Sequence, residues 1–450
     1  MKILQVVHGF PPYNFGGGEI YAYNLSRELA KQHEVYVFYR INDFQQPEFM
    51  LKQYNRDGIR AFTINNTFRK CASFEDTYRN ACIAERFAAA LDEIKPDVVH
   101  IQHLLYLSAM IVDEAKKRGI PVVFTLHDYW LICPQGQLLK NDLRVCPGDN
   151  HVDCLNCIQY QLSLRKNIFN IYYLLEKNAY SFLVRLVKRI YLFYSRLVFL
   201  NNQEAAKLLR LRREYLFSIL SKVDLFISPS HFLKNRFIEF GIPKNKIIYS
   251  AYGFNNDQST MPKKNTPDRL SFGFIGNIIP AKGLHVLIDS FNRIGKRNVE
   301  LKIYGRQNSY KGALGNYSRR ISKEAKNKNI KFMGGFDNNR IKDILAEIDM
   351  LVVPSIWYEN SPLVIQEAFL ARTPVLASDI GGIPELIEHG VNGLLFAAAD
   401  AAALKKELEY VLDNPGMIEK FRQQISQVKS IKDDAEQLQK IYQGLIAENS

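Results

Sequence analysis

Short apolar runs alternate with helix-patterned stretches along both halves of this 450-residue chain, and nothing else in the sequence constrains the fold as much. Such alternation marks parallel sheets covered by helices, an α/β fold of two doubly wound, Rossmann-like domains. In the first half the strand candidates are 3–7, 35–39, 59–64, 98–102, 122–126 and 225–228, and in the second 271–275, 301–304, 330–333, 350–353 and 375–377. Between the halves, the polar run from Asn255 to Pro267 carries two prolines and has little to bury, as an interdomain linker does. The expected division is a first domain at 1–254, a linker at 255–269, a second domain at 270–425 and a final helix at 426–450 returning to the first domain. A hydrophobic content of 47% is ample for two cores. Ligands of doubly wound sheets bind beyond the carboxyl ends of the strands, which here would face each other across a cleft.

The run from Pro354 to Ala368 holds two carboxylates and a helix-start signal. Ser361 suits the N-cap and Pro362 the first helical position, so a helix should begin there. Glu359 then lies ahead of free helix N–H groups, which favour an anion, and Glu367 falls on the second turn. At about 1.5 Å per residue Glu367 stands roughly 9 Å along the axis from Ser361, near the span from a diphosphate to the ribose of one nucleotide. Two glycine-rich loops fit phosphate or sugar contacts. Gly16, Gly17 and Gly18 sit between the first strand and a helix expected at 19–31, and Gly276 to Gly283 leads into a helix from Leu284 with Lys282 placed as a phosphate-binding cation. A plain tight turn and an ordinary surface lysine are the competing readings. A dinucleotide site is disfavoured, because the Gly-x-Gly-x-x-Gly spacing is missing.

Glu359 and Glu367, with seven residues between them, together with Gly16-Gly17-Gly18-Glu19, Thr125-Leu126-His127-Asp128, Gly276 through Lys282-Gly283, and Gly381-Gly382, resemble the motifs of retaining glycosyltransferases of the glycogen-synthase-like family 4 type. The resemblance spans nearly the whole chain and implies a two-domain GT-B architecture that transfers a hexose from a UDP- or GDP-linked donor to a glycan or lipid-linked glycan. It assigns Gly17, Gly18, Lys282, Asn360, Ser361 and Leu363 to the diphosphate and sugar, Glu367 to the ribose, and His127 with Glu359 to the transferred hexose, with His127, Glu359 and Lys282 as the catalytic set. Family members often carry an Arg where Asn277 stands, which puts one donor-side cation in doubt; Arg306 is a candidate substitute. The chain has no Asp-x-Asp pair for a divalent metal, so leaving-group stabilisation is expected to fall to Lys282 and the helix dipole. Retention without a clear protein nucleophile implies front-face attack, with the leaving phosphate helping to deprotonate the acceptor. A nucleotide-sugar epimerase of the same shape, or a catalytically silent sugar-binding or membrane-scaffold protein, are the alternatives.

Two further features fall outside that pattern. Cys133, Cys146, Cys154 and Cys157 cluster in sequence and suit a tetrahedral structural zinc, with free thiols or disulfides as the other readings. Residues 160–222 hold twelve Lys or Arg against three Glu, a net +9, with Tyr and Phe interleaved. Basic amphipathic helices of that kind suit an anionic membrane surface, while a basic face simply exposed to solvent is the bland alternative. No recognition motif supports nucleic acid as a partner. The apolar run after Met1-Lys2 reads as a buried strand and not an export signal, and no apolar run reaches the ~18 residues of a membrane span. The expected location is the cytoplasm, peripherally at the inner face of the cell membrane.

Overall fold

The computed structural model describes residues 1–71, 73–148, 154–155, 157–158, 202–255, 269–295, 297–306, 311–312 and 315–449. The first domain runs β1 (Lys2–Val7), α1 (Gly17–Leu29), β2 (Glu34–Ile41), β3 (Leu51–Arg56), β4 (Ile59–Asn65), α2 (Ala81–Ile94), β5 (Val98–Ile101) and α3 (Met110–Lys116). It continues with β6 (Val122–Thr125), α4 (Asn202–Leu220), β7 (Leu225–Ser228), α5 (His231–Phe240) and β8 (Ile247–Tyr249). The second opens with β9 (Leu270–Ile275), α6 (Leu284–Asn292), β10 (Val299–Tyr304), β11 (Lys311–Gly312), β12 (Gly315–Asn316), α7 (Tyr317–Glu324), β13 (Ile330–Gly334) and α8 (Ile341–Ala346). It closes with β14 (Met350–Val353), α9 (Leu363–Leu370), β15 (Val375–Asp379), β16 (Gly393–Ala397), α10 (Ala401–Asp413) and α11 (Gly416–Gln424), and α12 (Ile431–Asn449) follows.

Both halves are doubly wound parallel sheets, in agreement with the alternation read from the sequence. The first has the order β3-β4-β2-β1-β5-β6-β7-β8, parallel except for the β3–β4 pair, and the second the order β13-β10-β9-β14-β15-β16. Strand order reverses between β1 and β5, and again between β9 and β14, so a crevice opens at the carboxyl ends of each pair. The central strands are buried on both faces: β14 is buried throughout and wholly apolar, and β1 is buried from Ile3 to Val7 with its one polar residue, Gln5, hydrogen-bonded to Gln102. Local signals fix the helix ends. Asn80 caps α2 through Ile83 N–H, Ser230 caps α5 through Leu233 N–H, and Asp400 caps α10 through Ala402 and Ala403.

The chain crosses between the domains twice, side by side. Phe254 N–H donates to Lys429 O at 2.9 Å, and Ile431 N–H donates back to Phe254 O at 2.8 Å. Beyond that crossing α12 lies against α1. The buried Asp434 carboxylate accepts from Tyr21 hydroxyl, Gly253 N–H and Lys429 Nζ, and Tyr442 hydroxyl meets His100 Nδ1 at 2.6 Å.

The linker at 256–268 and residues 160–201 of the basic stretch lie outside the described residues. The described end of that stretch, α4, serves the core as well as the surface: Leu209, Leu216, Ile219 and Leu220 are buried, and Arg212 is 3% exposed. Its guanidinium donates to Trp130 O and stacks over the Trp130 and Tyr78 rings. Arg212 is therefore removed from the set of basic residues available to a membrane. Among the described residues no helix is long and apolar enough to cross a membrane.

Candidate active site

Glycines let three loops of the second domain close on one another. Gly283 has φ +66°, and a β-carbon there would lie 1.7 Å from Pro354 O; Gly382 would meet Asn360 O at 1.9 Å and Gly381 would meet Glu359 O at 2.3 Å. Loop 354–362 is thus clamped between the turn before α6 and the turn after β15. Ile356 N–H donates to Ala281 O at 2.9 Å and Gly382 N–H to Glu359 O at 2.7 Å. This packing aims the side chains. Lys282 Nζ donates to Glu359 Oε1 at 2.6 Å, and Ser355 Oγ donates to the same oxygen at 2.7 Å. Glu359 is 4% exposed, so the ammonium is its necessary counter-charge.

The expected N-cap is corrected by the structure. The helix starts at Leu363 with Pro362 at the cap, whose carbonyl accepts Ile365 N–H, and Ser361 Oγ caps nothing. Ser361 Oγ and Asn360 Oδ1 are instead buried with no hydrogen-bond partner among the described residues, while Asn360 Nδ2 reaches across the cleft to His127 O at 2.5 Å. Two orphaned polar atoms beside a lysine and a free helix terminus are a site prepared for an oxygen-rich ligand. Glu367, on the second turn of α9, is half-buried with no side-chain hydrogen bond among the described residues, and burial raises its pKa to about 7. Asn277 is exposed and outside the Lys282–Glu359 cluster, and Arg306 is likewise exposed.

The first domain supplies the opposite wall. Helix α1 begins at Gly17 and not at Glu19, so the glycines form its first turn. A β-carbon on Gly17 would stand 3.4 Å from Leu363 Cδ1, and one on Gly18 would stand 3.4 Å from His127 Cγ. The glycines keep that wall close and bare. His127 follows β6, where Nε2 meets Gln102 Oε1 at 2.7 Å and Nδ1 meets Tyr252 hydroxyl at 2.6 Å. Gln102 gives its amide N–H to Gln5, so its oxygen faces His127. His127 Nε2 therefore carries the proton and Nδ1 accepts from Tyr252, a tautomer assigned from the network. Burial lowers its pKa to about 3, keeping the ring neutral. With both ring nitrogens engaged, His127 presents its backbone carbonyl to the cleft.

Four further polar residues, His8, Glu19, His103 and Asp128, complete this wall. His8 Nε2 lies 3.1 Å from Glu19 Oε1, His103 Nε2 lies 3.0 Å from Asp128 Oδ2, and the two imidazoles pack 4.4 Å apart. The histidines escaped the sequence reading, although both follow strands of the switch point, β1 and β5; that position was the available signal. A carboxylate also crosses the cleft, as Glu385 accepts from His231 N–H at 2.7 Å and Phe232 N–H at 2.6 Å at the start of α5. Cys146 is buried, and Cys133, Cys154 and Cys157 are half-buried against the same hydrophobic cluster. Among the described residues no three His, Cys, Asp or Glu side chains stand together as a metal-holding group.

Residues 15–210 match the family model for Glycosyltransferase Family 4, and residues 257–428 match that for Glycosyl transferases group 1. The chain belongs to the family 4, group 1 glycosyltransferases. This transferase is 22% identical, over 86% of its length and 87% of the other, to a 42.6 kDa protein from the cps region of Klebsiella pneumoniae. It is 26% identical to the amylovoran biosynthesis glycosyltransferase AmsK of Erwinia amylovora over 41% of its own length, spanning about half (47%) of AmsK. Its fold is GT-B: sucrose-phosphate synthase from Thermosynechococcus elongatus superposes with a TM-score of 0.67 at 18% identity over 100% of both chains. Anabaena HepE, solved in complex with UDP and glucose, gives 0.65 at 15% identity over 98% of this chain and 99% of that one.

Proposed function

We propose that this transferase moves a hexose from a nucleoside diphosphate sugar to a glycan or lipid-linked glycan, with retained anomeric configuration and without a catalytic metal, in the building of a cell-surface polysaccharide. The observation that carries the reading is the Lys282–Glu359 pair beside the partnerless Ser361 hydroxyl and Asn360 carbonyl at the start of α9. A diphosphate there would take Lys282 from Glu359 and accept from Ser361 and the first N–H groups of the helix, meeting the developing negative charge with groups already in place. Glu367, one turn further on, would take the ribose hydroxyls. Glu359, released from Lys282 but still held by Ser355, would turn to the hydroxyls of the transferred sugar. The neutral His127 ring is hydrogen-bonded at both nitrogens and Glu359 would be engaged by Ser355 and the sugar hydroxyls, which supports front-face attack with the acceptor proton passing to the leaving phosphate. The polysaccharide setting is supported by the cps-region and amylovoran relatives, and the nucleotide donor by a fold neighbour solved with UDP and glucose.

A panel of UDP- and GDP-linked hexoses, scored by thermal shift and then by transfer to membrane extracts in the presence of EDTA, tests the reading. Transfer with retained configuration and undiminished by EDTA is the expected result; conversion of the donor without any acceptor would make it an epimerase, and no turnover with any donor would make it a silent binder. Lys282→Ala should lower turnover strongly and weaken UDP or GDP binding by about 1.5–3 kcal/mol, the range for a hydrogen bond to a charged group. Because that variant also strands the buried Glu359, nucleotide affinity, not melting temperature, is the decisive readout.

A further inference from the structure

The carboxyl edge of the first sheet carries Arg40, a cation with no ion pair among the described residues. β2 pairs with β1 up to Tyr39 opposite Val7, so at the carboxyl end of the sheet, where His8 follows β1, the first residue of β2 past that pairing is Arg40. Its Nε donates to Asn66 O at 2.7 Å. The guanidinium carbon lies 4.7 Å from the Tyr106 ring centre and 5.7 Å from that of Phe68, and Asn66 Nδ2 ties the loop down by donating to Tyr106 O at 2.9 Å. Both aromatics hold left-handed backbone, with φ +65° at Tyr106 and +63° at Phe68, a conformation that persists only where the surroundings enforce it.

Among the described residues Arg40 forms no ion pair, and the nearby Glu48 is taken by Arg69 at 3.3 Å and by Thr67. A half-buried guanidinium with no directly paired carboxylate is costly, and its desolvation, only partly offset by Tyr106 and Glu48 nearby, holds its pKa below the usual arginine value. The arrangement suits an incoming oxyanion, which a guanidinium grips with two parallel N–H groups while the Tyr106 ring, 38% exposed, offers a face to a sugar. The same loop carries His103, whose partner Asp128 adjoins His127, so this cation stands on the wall opposite every proposed donor contact of the second domain.

Resting on the transferase reading above, we propose that Arg40, flanked by Tyr106 and Phe68, binds an anionic group of the acceptor glycan, a carboxylate or a phosphate monoester. Octyl β-D-glucuronide, octyl glucose 6-phosphate and neutral octyl β-D-glucoside are the probes, titrated by saturation-transfer NMR against the full chain without donor. Wild type should bind at least one anionic glycoside tenfold or more tightly than the neutral one, with a preference that shrinks as salt rises. The anion preferred separates uronate from phosphate. Arg40→Gln should erase the preference and Arg40→Lys restore only part of it, because an ammonium lacks the planar fork. Equal affinity for the three glycosides in wild type, or a preference that survives Arg40→Gln, overturns the proposal; the wild-type salt series decides even if a variant fails to fold. Charge-selective binding in a protein that transfers no sugar would defeat the transferase reading alone, and efficient transfer to all three glycosides without preference would defeat this one alone.

Discussion

At the scale of a residue, Glu367 makes the proposed donor site sensitive to pH. Its carboxyl titrates near 7 in the folded protein because burial disfavours the charge, against 4.5 for the free group. Between those values the folded state holds a proton that the unfolded chain has lost, so this residue takes stability away as pH rises through the window. Glu367→Gln removes the titration; the variant should melt close to wild type at pH 5 and above it at pH 8. Ribose hydroxyls donating to the carboxylate would favour the ionised form. Wild type should therefore release a proton on binding UDP or GDP near pH 7, and the variant none, with affinity weaker by about 1–3 kcal/mol. Calorimetry in buffers of differing ionisation enthalpy measures both, and no proton release would remove Glu367 from the ribose. His100 and His127 work in the opposite direction. Burial holds both near pKa 3, below the 6.5 of a free imidazole, so the stability tied to their neutral forms is lost as pH falls from 6.5 towards 3.

At the scale of an element, legibility followed burial. β7 and β14 have the bounds expected of them because each is a short apolar run with polar flanks, and β9, α6 and β15 fall within two residues of expectation. β3, Leu-Lys-Gln-Tyr-Asn-Arg, is an antiparallel edge strand with no buried residue, so hydrophobic patterning had nothing to mark. β8 is three residues long, and β16 is entered from a turn whose glycine resembles an ordinary breaker. In the site, Lys282, Glu359 and Glu367 were legible because they belong to contiguous motifs. Gln102, Tyr252, His8 and His103 were not, since strand pairing brings them together from three separate stretches. The cysteine segment is a further element-scale question. The spacing of Cys133, Cys146, Cys154 and Cys157 suits one zinc per chain, but among the described residues the structure does not gather them into a metal-holding group. Metal analysis of reduced protein decides between the two, and if zinc is present Cys154→Ser with Cys157→Ser should remove it together with thermal stability. Metal-free wild type with an undiminished melting temperature would leave four free thiols.

At the scale of the molecule, the charge is concentrated, with +9 of the chain's +13 carried by residues 160–222. We expect vesicles containing anionic lipid to bind the protein and to release it with rising salt, since each basic residue near the surface contributes on the order of 1 kcal/mol and is screened. Replacing Arg185, Lys188, Arg189 and Arg196, which lie outside the described residues, with Gln should abolish co-flotation while sparing nucleotide affinity. Equal flotation of variant and wild type would make this stretch a basic face turned to solvent. The double crossing has a different consequence. Because Asp434 and Tyr442 anchor α12 to Tyr21, Gly253 and His100, the last nineteen-residue helix is by contact a part of the first domain although it follows the second in sequence. A chimera that exchanges donor halves between relatives should accordingly be spliced at two junctions, near 255 and near 429, with the tail inherited from the acceptor parent. A single-junction graft would pair Tyr21 and Gly253 with a foreign helix and disturb Tyr252, the residue that fixes the ring of His127.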